Sequence, residues 1–172
     1  GRLCSDRNVA LVGGGNSAGQ AAVYLASQAT QVTLVARRPL QETMSSYLVD
    51  RITATTNVEV VTGAEVAAIE GHDGVIEAVR IRQRNSGQER HLPIRHLFLF
   101  IGADPNTDWL TGSGIELDER RFIQAGADAG GDRLPLETTR RGIFAIGDIR
   151  SGSVKRVAAA AGDGAQVVAS LH

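Results

Sequence analysis

Cysteine is nearly missing from this sequence. Cys4 is the single one among 172 residues, so the chain can form neither an internal disulfide nor a thiolate metal cluster. Lysine is as scarce: of 18 basic residues only Lys155 is not arginine. Aromatic residues make up 4% against 42% hydrophobic overall, so any sizeable core must be built from Ala, Val, Ile and Leu. Charge of one sign is lacking too. A net charge of −1 gives no reason to expect nucleic acid or a membrane surface as partner. No apolar run has the length of a membrane span and no leader pattern is present, so a cytoplasmic location is the expectation. His72, His91 and His96 lack the spacing of metal ligands, and no Ser/Tyr/Lys or His/Asp catalytic set stands out.

What is present is glycine in one particular place. Val9 to Val12 is a short apolar run. Gly13-Gly14-Gly15-Asn16-Ser17-Ala18 follows, and then a run of helix formers from Gln20 to Gln28. A second apolar run, Gln31 to Ala36, predicts a parallel strand reached through a crossover helix. Gly13, Gly15 and Ala18 satisfy the G-x-G-x-x-G/A fingerprint of dinucleotide binding in its required strand–turn–helix context. Gly13 permits the tight turn, Gly15 leaves room for a pyrophosphate, and Ala18 lets helix and strand pack closely. The helix amino terminus then offers N–H groups and partial positive charge to the diphosphate.

The second strand ends in Ala36-Arg37-Arg38. Enzymes specific for NAD usually carry Asp or Glu there for the ribose hydroxyls. Here no carboxylate repels a 2′-phosphate, and two guanidiniums can grip one, so NADP(H) is the expected nucleotide.

Further along, residues 42–54 place Met44, Leu48 and Ile52 on a helical stripe, with Met44 and Tyr47 as packing or surface residues. Val58 to Thr62 predicts a third parallel strand. Glu65 to Glu70, Val75 to Arg82 and Arg90 to Ile94 predict an antiparallel meander, with turns at 72–74 and 85–87. His96 to Ile101 predicts a buried strand rejoining the parallel sheet. Beyond the connector at 102–107 come a turn carrying Trp109 and Leu110, short strands at 122–124 and 136–137 around a glycine-rich loop, a buried strand at 142–146 ending in Gly147-Asp148, and an alanine-rich helix from Val154 to Leu171.

Five stretches in this order carry a family resemblance: Val12 to Ala18, Val35 to Arg38, Phe100 to Thr107, Gly142 to Asp148, and Lys155 to Ala158 before the last helix. The chain resembles the carboxy-terminal part of thioredoxin-reductase-like flavoproteins, within the pyridine nucleotide-disulfide oxidoreductase superfamily. The resemblance implies an α/β fold in which residues 1–101 form a Rossmann-like, three-layer NADPH-binding domain with a parallel sheet and an antiparallel meander. It implies that residues 102–172 are the returning part of an FAD-binding domain whose first part is absent, so that the chain is a fragment of a longer enzyme.

For the sites, the resemblance implies that NADPH contacts Gly13, Gly14, Gly15, Asn16, Ser17, Ala18, Arg37 and Arg38. It implies further cofactor contacts at Ile101 and Gly102, and a flavin half made of Gly147, Asp148, Arg156 and Val157. In that half Asp148 would hold the ribityl chain, Gly147 would approach the pyrophosphate, and the helix start near Arg156 and Val157 would face the flavin pyrimidine. The implied activity is hydride transfer from NADPH to FAD and on to an acceptor such as a disulfide, with a redox partner protein. Pairing with a second copy of the chain would cover the strand at 142–146. The family's C-x-x-C would fall before Gly1, and Cys4 lies too close to the first strand to match it. A second reading stays open, in which the chain is a non-catalytic NADP(H)-binding module or sensor.

Overall fold

Val9 to Leu11 and Val32 to Val35 are almost wholly withdrawn from solvent. Such strands, apolar on both faces, are stable only with cover on both sides. In the computed structural model, which describes residues 2–171, they receive it. The chain divides into two compact units, Gly1–Gly102 and Ala103–His172.

The first unit is built on a parallel sheet. Strand β1 (Asn8–Val12) leads through the glycine turn into helix α1 (Asn16–Ala26) and on to β2 (Gln31–Ala36). Helix α2 (Ser46–Thr53) precedes β3 (Val58–Thr62). Then β4 (Ala64–His72), β5 (Val75–Gln83) and β6 (Glu89–Pro93) form a separate antiparallel sheet, before β7 (His96–Leu99) returns beside β1. The parallel sheet has the order β3-β2-β1-β7. Val9 lies opposite Val32 on one side and His96 on the other.

Side-chain alternation sorts the two faces of this sheet. Val9, Leu11, Val32 and Leu34 pack on Ala18, Ala22, Leu25, Leu48 and Ile52 from the helices. Ala10 and Val35 point the other way, onto Ala64, Val79, Ile81 and Leu92 of the meander. The result is three layers: helices, parallel sheet, meander. Leu11 and Leu34 are fully buried, and truncating either to Ala would cost about 2–5 kcal/mol. Arg90 of β6 adds a polar tie by bridging to Glu59 of β3, with its second contact at 2.9 Å. Its guanidinium holds the Glu59 carboxyl below the usual carboxylate range.

Two expectations change in this unit. The helix read at 42–54 begins only at Ser46, because Leu40–Glu42 forms a separate 3-10 turn and Ser45 has an extended backbone. Met44, Leu48 and Ile52 are nonetheless all buried, and Tyr47 is exposed. The strand read at 96–101 stops at Leu99 and forms an edge of the sheet. Leu99 and Ile101 are exposed rather than buried, because no strand lies beyond β7 among the described residues.

The second unit has a small aliphatic core of Leu110, Ile123, Ala125 and Ala145. Here the sequence overstated the strands. Residues 122–124 and 136–137 make isolated bridges, Ile123 to Leu117 and to Arg150 and Glu137 to Phe144, not ladders. The stretch 142–146 is not a buried strand either. Along one edge its backbone pairs with 136–138, through Thr138 N–H to the Ile143 carbonyl and Ala145 N–H to the Leu136 carbonyl, and Ile143 and Ile146 are exposed. An apolar run becomes a central strand only when a partner lies on each edge, and 142–146 has one. The last helix, α3 (Val157–Leu171), starts three residues later than expected and buries none of its residues.

Candidate nucleotide and flavin sites

Parallel strands point their carboxyl ends the same way, so the segments that follow β1, β2 and β7 gather at one end of the sheet. These are the turn Gly13–Gly15, the pair Arg37-Arg38, and Phe100 to Gly102. The chain leaves β1 towards β2 on one side and returns to β7 on the other. The glycine turn therefore sits at the topological switch point, where open α/β sheets form their ligand crevice.

Each residue of the fingerprint has a distinct reason to be small. Gly13 has φ +151°, and a β-carbon on it would meet the Phe100 carbonyl oxygen at 2.5 Å and the Ala18 β-carbon at 3.1 Å. A β-carbon at Gly15 would meet nothing nearer than the Thr43 carbonyl oxygen at 4.0 Å. Gly13 is thus required by the fold, while Gly15 leaves space open. Helix α1 has no side-chain cap and no acidic residue in its first turn. The N–H groups of its first turn face out of the helix end, which suits a diphosphate. Ser17 is exposed beside them, and Ala18 is buried under the helix.

Asn16 is the first residue of α1 and is exposed. Its Oδ1 accepts a hydrogen bond from the Ser45 N–H at 2.8 Å. Thr43 Oγ1 donates to the Gly14 carbonyl at the same distance. Gly19 was not singled out in the sequence, yet a β-carbon there would meet the Met44 sulfur at 2.7 Å. A glycine one residue past the fingerprint, in a helix of good formers, is the signal that marks this close approach.

Arg37 and Arg38 are exposed at the end of β2. Arg38 pairs with Glu42 at 3.8 Å across the 3-10 turn, and both side chains are largely solvated. Exposed pairs of this kind contribute little, so either arginine remains available to an incoming phosphate.

In the second unit, a hollow of about 610 Å³ is lined by Asp148, Lys155, Arg156, Val157, Ala160 and Ala161. It brings together three residues named from the sequence: Asp148, Arg156 and Val157. Asp148 stands on a 3-10 turn, Gly147–Ile149, rather than at a strand end, and is exposed. Gly147 is buried behind it, with φ +71°, and donates its N–H to Asp163 Oδ2 at 3.0 Å. Asp163 also lies 3.4 Å from Arg150, and so ties this turn to α3. The sequence reading missed Asp163, although it is the single charged residue in α3 and is flanked by two glycines. Lys155 donates to the Asp148 carbonyl at 3.0 Å and stands 4.1 Å above the Phe122 ring. Ile101 and Gly102 are exposed in the first unit.

Cys4 is 2% exposed and belongs to the aliphatic cluster on the helix side of the parallel sheet. The histidines are engaged elsewhere: His72 with Glu77 and His91 with Glu70, each at 3.3 Å, and His96 against Phe98. Among the described residues no helix is long and apolar enough to cross a membrane.

Comparison with known proteins supplies the family. Over 166 residues the chain is 33% identical to the F component of the alkyl hydroperoxide reductase of Pseudomonas putida, covering 96% of this chain and 30% of that protein. It is 31% identical over 159 residues to a thioredoxin reductase of Mycolicibacterium smegmatis, covering 92% of this chain and 48% of the relative. The crystal structure of T. acidophilum thioredoxin reductase superposes with a TM-score of 0.82 at 29% identity, over 98% of this chain and 53% of that one. The chain therefore spans between 30% and 53% of the length of these proteins. The family model described as pyridine nucleotide-disulphide oxidoreductase matches residues 3–164, and the chain belongs to that family.

Proposed function

We propose that the first unit binds NADP(H), and that the chain is the nicotinamide-binding and partial flavin-binding portion of an oxidoreductase that reduces a disulfide-type acceptor. The observation that carries this reading is the meeting, at one end of the parallel sheet, of an uncapped helix amino terminus, an open Gly15 and the arginines after β2. The diphosphate is received by the N–H groups at the start of α1. The 2′-phosphate is gripped by Arg37 and Arg38, whose charge-assisted bonds set NADP(H) apart from NAD(H).

When bound, the nicotinamide supplies a hydride and the flavin accepts it. The hollow in the second unit suits part of a flavin nucleotide. Asp148 accepts hydroxyl hydrogen bonds from the ribityl chain. The start of α3 at Val157 presents N–H groups and partial positive charge, which favour the negative charge that grows on the flavin pyrimidine during reduction. Cys4, buried and alone, takes no part in thiol exchange. A partner protein carrying the acceptor disulfide fits this reading.

Calorimetric titration of the chain with NADP+ and NAD+ is the test. Binding of NADP+ in preference to NAD+, lost in a folded Gly15→Val variant, is the expected result. Equal affinity for both nucleotides, or undiminished binding by Gly15→Val, would overturn it.

A further inference from the structure

We propose that Thr43 and Ser45, on the link between β2 and α2, are positioning residues that preorganise the glycine turn and the start of α1 for a dinucleotide diphosphate. The inference rests on the nucleotide reading above and adds residues from outside the fingerprint. Thr43 Oγ1 holds the Gly14 carbonyl and the Ser45 N–H holds Asn16 Oδ1, both at 2.8 Å. Between them the buried Met44 fills the notch left by Gly19. Three consecutive residues thus grip three points of the turn and the first helical turn.

Each polar contact has a consequence for an anion. Three successive glycines have wide conformational freedom, and a ligand that had to order them would lose affinity in doing so. The bond from Thr43 removes part of that freedom in advance. It also sets a direction. In a trans peptide the Gly14 carbonyl and the Gly15 N–H point opposite ways, so anchoring the carbonyl on Thr43 turns the Gly15 N–H away from Thr43. Asn16 stands first in α1, where a side-chain amide oxygen readily bonds nearby N–H groups. With Oδ1 taken by Ser45, that oxygen does not compete for them, and α1 has no side-chain cap. The link therefore holds the glycine turn and the Asn16 side chain in one shape.

The test uses the full chain and three ligands: NADP+, ADP-ribose and 2′-AMP. The first two carry a diphosphate on the adenosine 5′ side, and 2′-AMP does not. Thr43→Val should weaken NADP+ and ADP-ribose by roughly three- to tenfold, as one lost hydrogen bond implies, and leave 2′-AMP unchanged. Thr43→Ser, which keeps the hydroxyl, should restore both. Thr43 is exposed, and Thr43→Ala serves if the valine variant does not fold. Unchanged NADP+ affinity in Thr43→Val, an equal loss for 2′-AMP, or no recovery in Thr43→Ser would overturn the inference. Failure of the wild-type chain to bind any of the three would instead overturn the nucleotide reading, and this inference with it.

Discussion

Gly13 and Phe100 lie so close that a β-carbon on Gly13 would sit 2.5 Å from the Phe100 carbonyl oxygen. The contact joins the end of β1 to the segment after β7, and the Phe100 N–H bonds the Val12 carbonyl at 2.7 Å alongside it. Backbone cannot step aside as a flexible side chain can. The first fingerprint glycine is therefore a requirement of the fold itself.

The two glycines should respond differently to substitution. Gly13→Ala should destabilise the first unit by on the order of 1–3 kcal/mol, through steric overlap and a φ that alanine rarely adopts. Gly15→Val should leave stability nearly unchanged but block nucleotide binding, since the space at Gly15 is open to the ligand side. Urea unfolding paired with calorimetry separates the two. A fully stable Gly13→Ala variant would contradict the packing seen at Phe100.

Arg37 and Arg38 should read the 2′-phosphate and nothing else. The double alanine variant is expected to lose NADPH affinity at least about tenfold, the equivalent of one charge-assisted hydrogen bond, with NADH little affected. Fluorescence titration of both reduced nucleotides measures this. A parallel loss for both would assign the arginines to a general electrostatic role.

Glu42 should act against NADPH. Its carboxylate pairs with Arg38 at 3.8 Å and must give way to an incoming phosphate. Exposed pairs of this spacing are worth about 0.3–0.5 kcal/mol, so Glu42→Gln should tighten NADPH binding by about twofold at low ionic strength. The gain should shrink in high salt. An unchanged or weakened NADPH affinity at low salt would show that Arg38 is not the group being contested.

Acid should loosen the second unit through Glu137. This buried carboxylate accepts hydrogen bonds from the N–H groups of Gly142 at 2.8 Å and Leu134 at 3.1 Å. These bonds, the Gly142 one foremost, hold its pKa below the ordinary glutamate value, against the opposing effect of burial. A carboxyl whose folded pKa is depressed stabilises the fold above its unfolded pKa, near about 4.3, and loses that contribution as pH falls through the folded value. Hydrogen exchange at Gly142 and Leu134 should therefore speed up, after correction for intrinsic rates, below about pH 4. Glu137→Gln should lower protection at neutral pH and flatten the acid limb. An acid limb unchanged in Glu137→Gln would assign the effect to another carboxyl of the second unit.

Local pattern alone determined much of the first unit. Val9 to Val12, the glycines and Gln31 to Ala36 specify strand, turn, helix and strand, because hydrophobic period and glycine position are local properties. The turn at 72–74 was legible for the same reason: Asp73 and Gly74 both adopt positive φ there. The fingerprint and Arg37-Arg38 were legible because each lies within a few residues of a recognisable strand end.

Tertiary structure decided everything that depends on a distant partner. Met44 and Ile52 read as one helical stripe, but Met44 lies before α2, held where Gly19 makes room for its sulfur. Residues 142–146 read as a central strand, but strand character needs hydrogen-bonding neighbours on both edges, and a neighbour is not a property of the run itself. The hydrogen bonds of Thr43 to Gly14 and of Ser45 to Asn16 each span 29 residues of chain. No periodicity links such positions. Only the return of β2 beside β1 brings the link at 43–45 back onto the glycine turn.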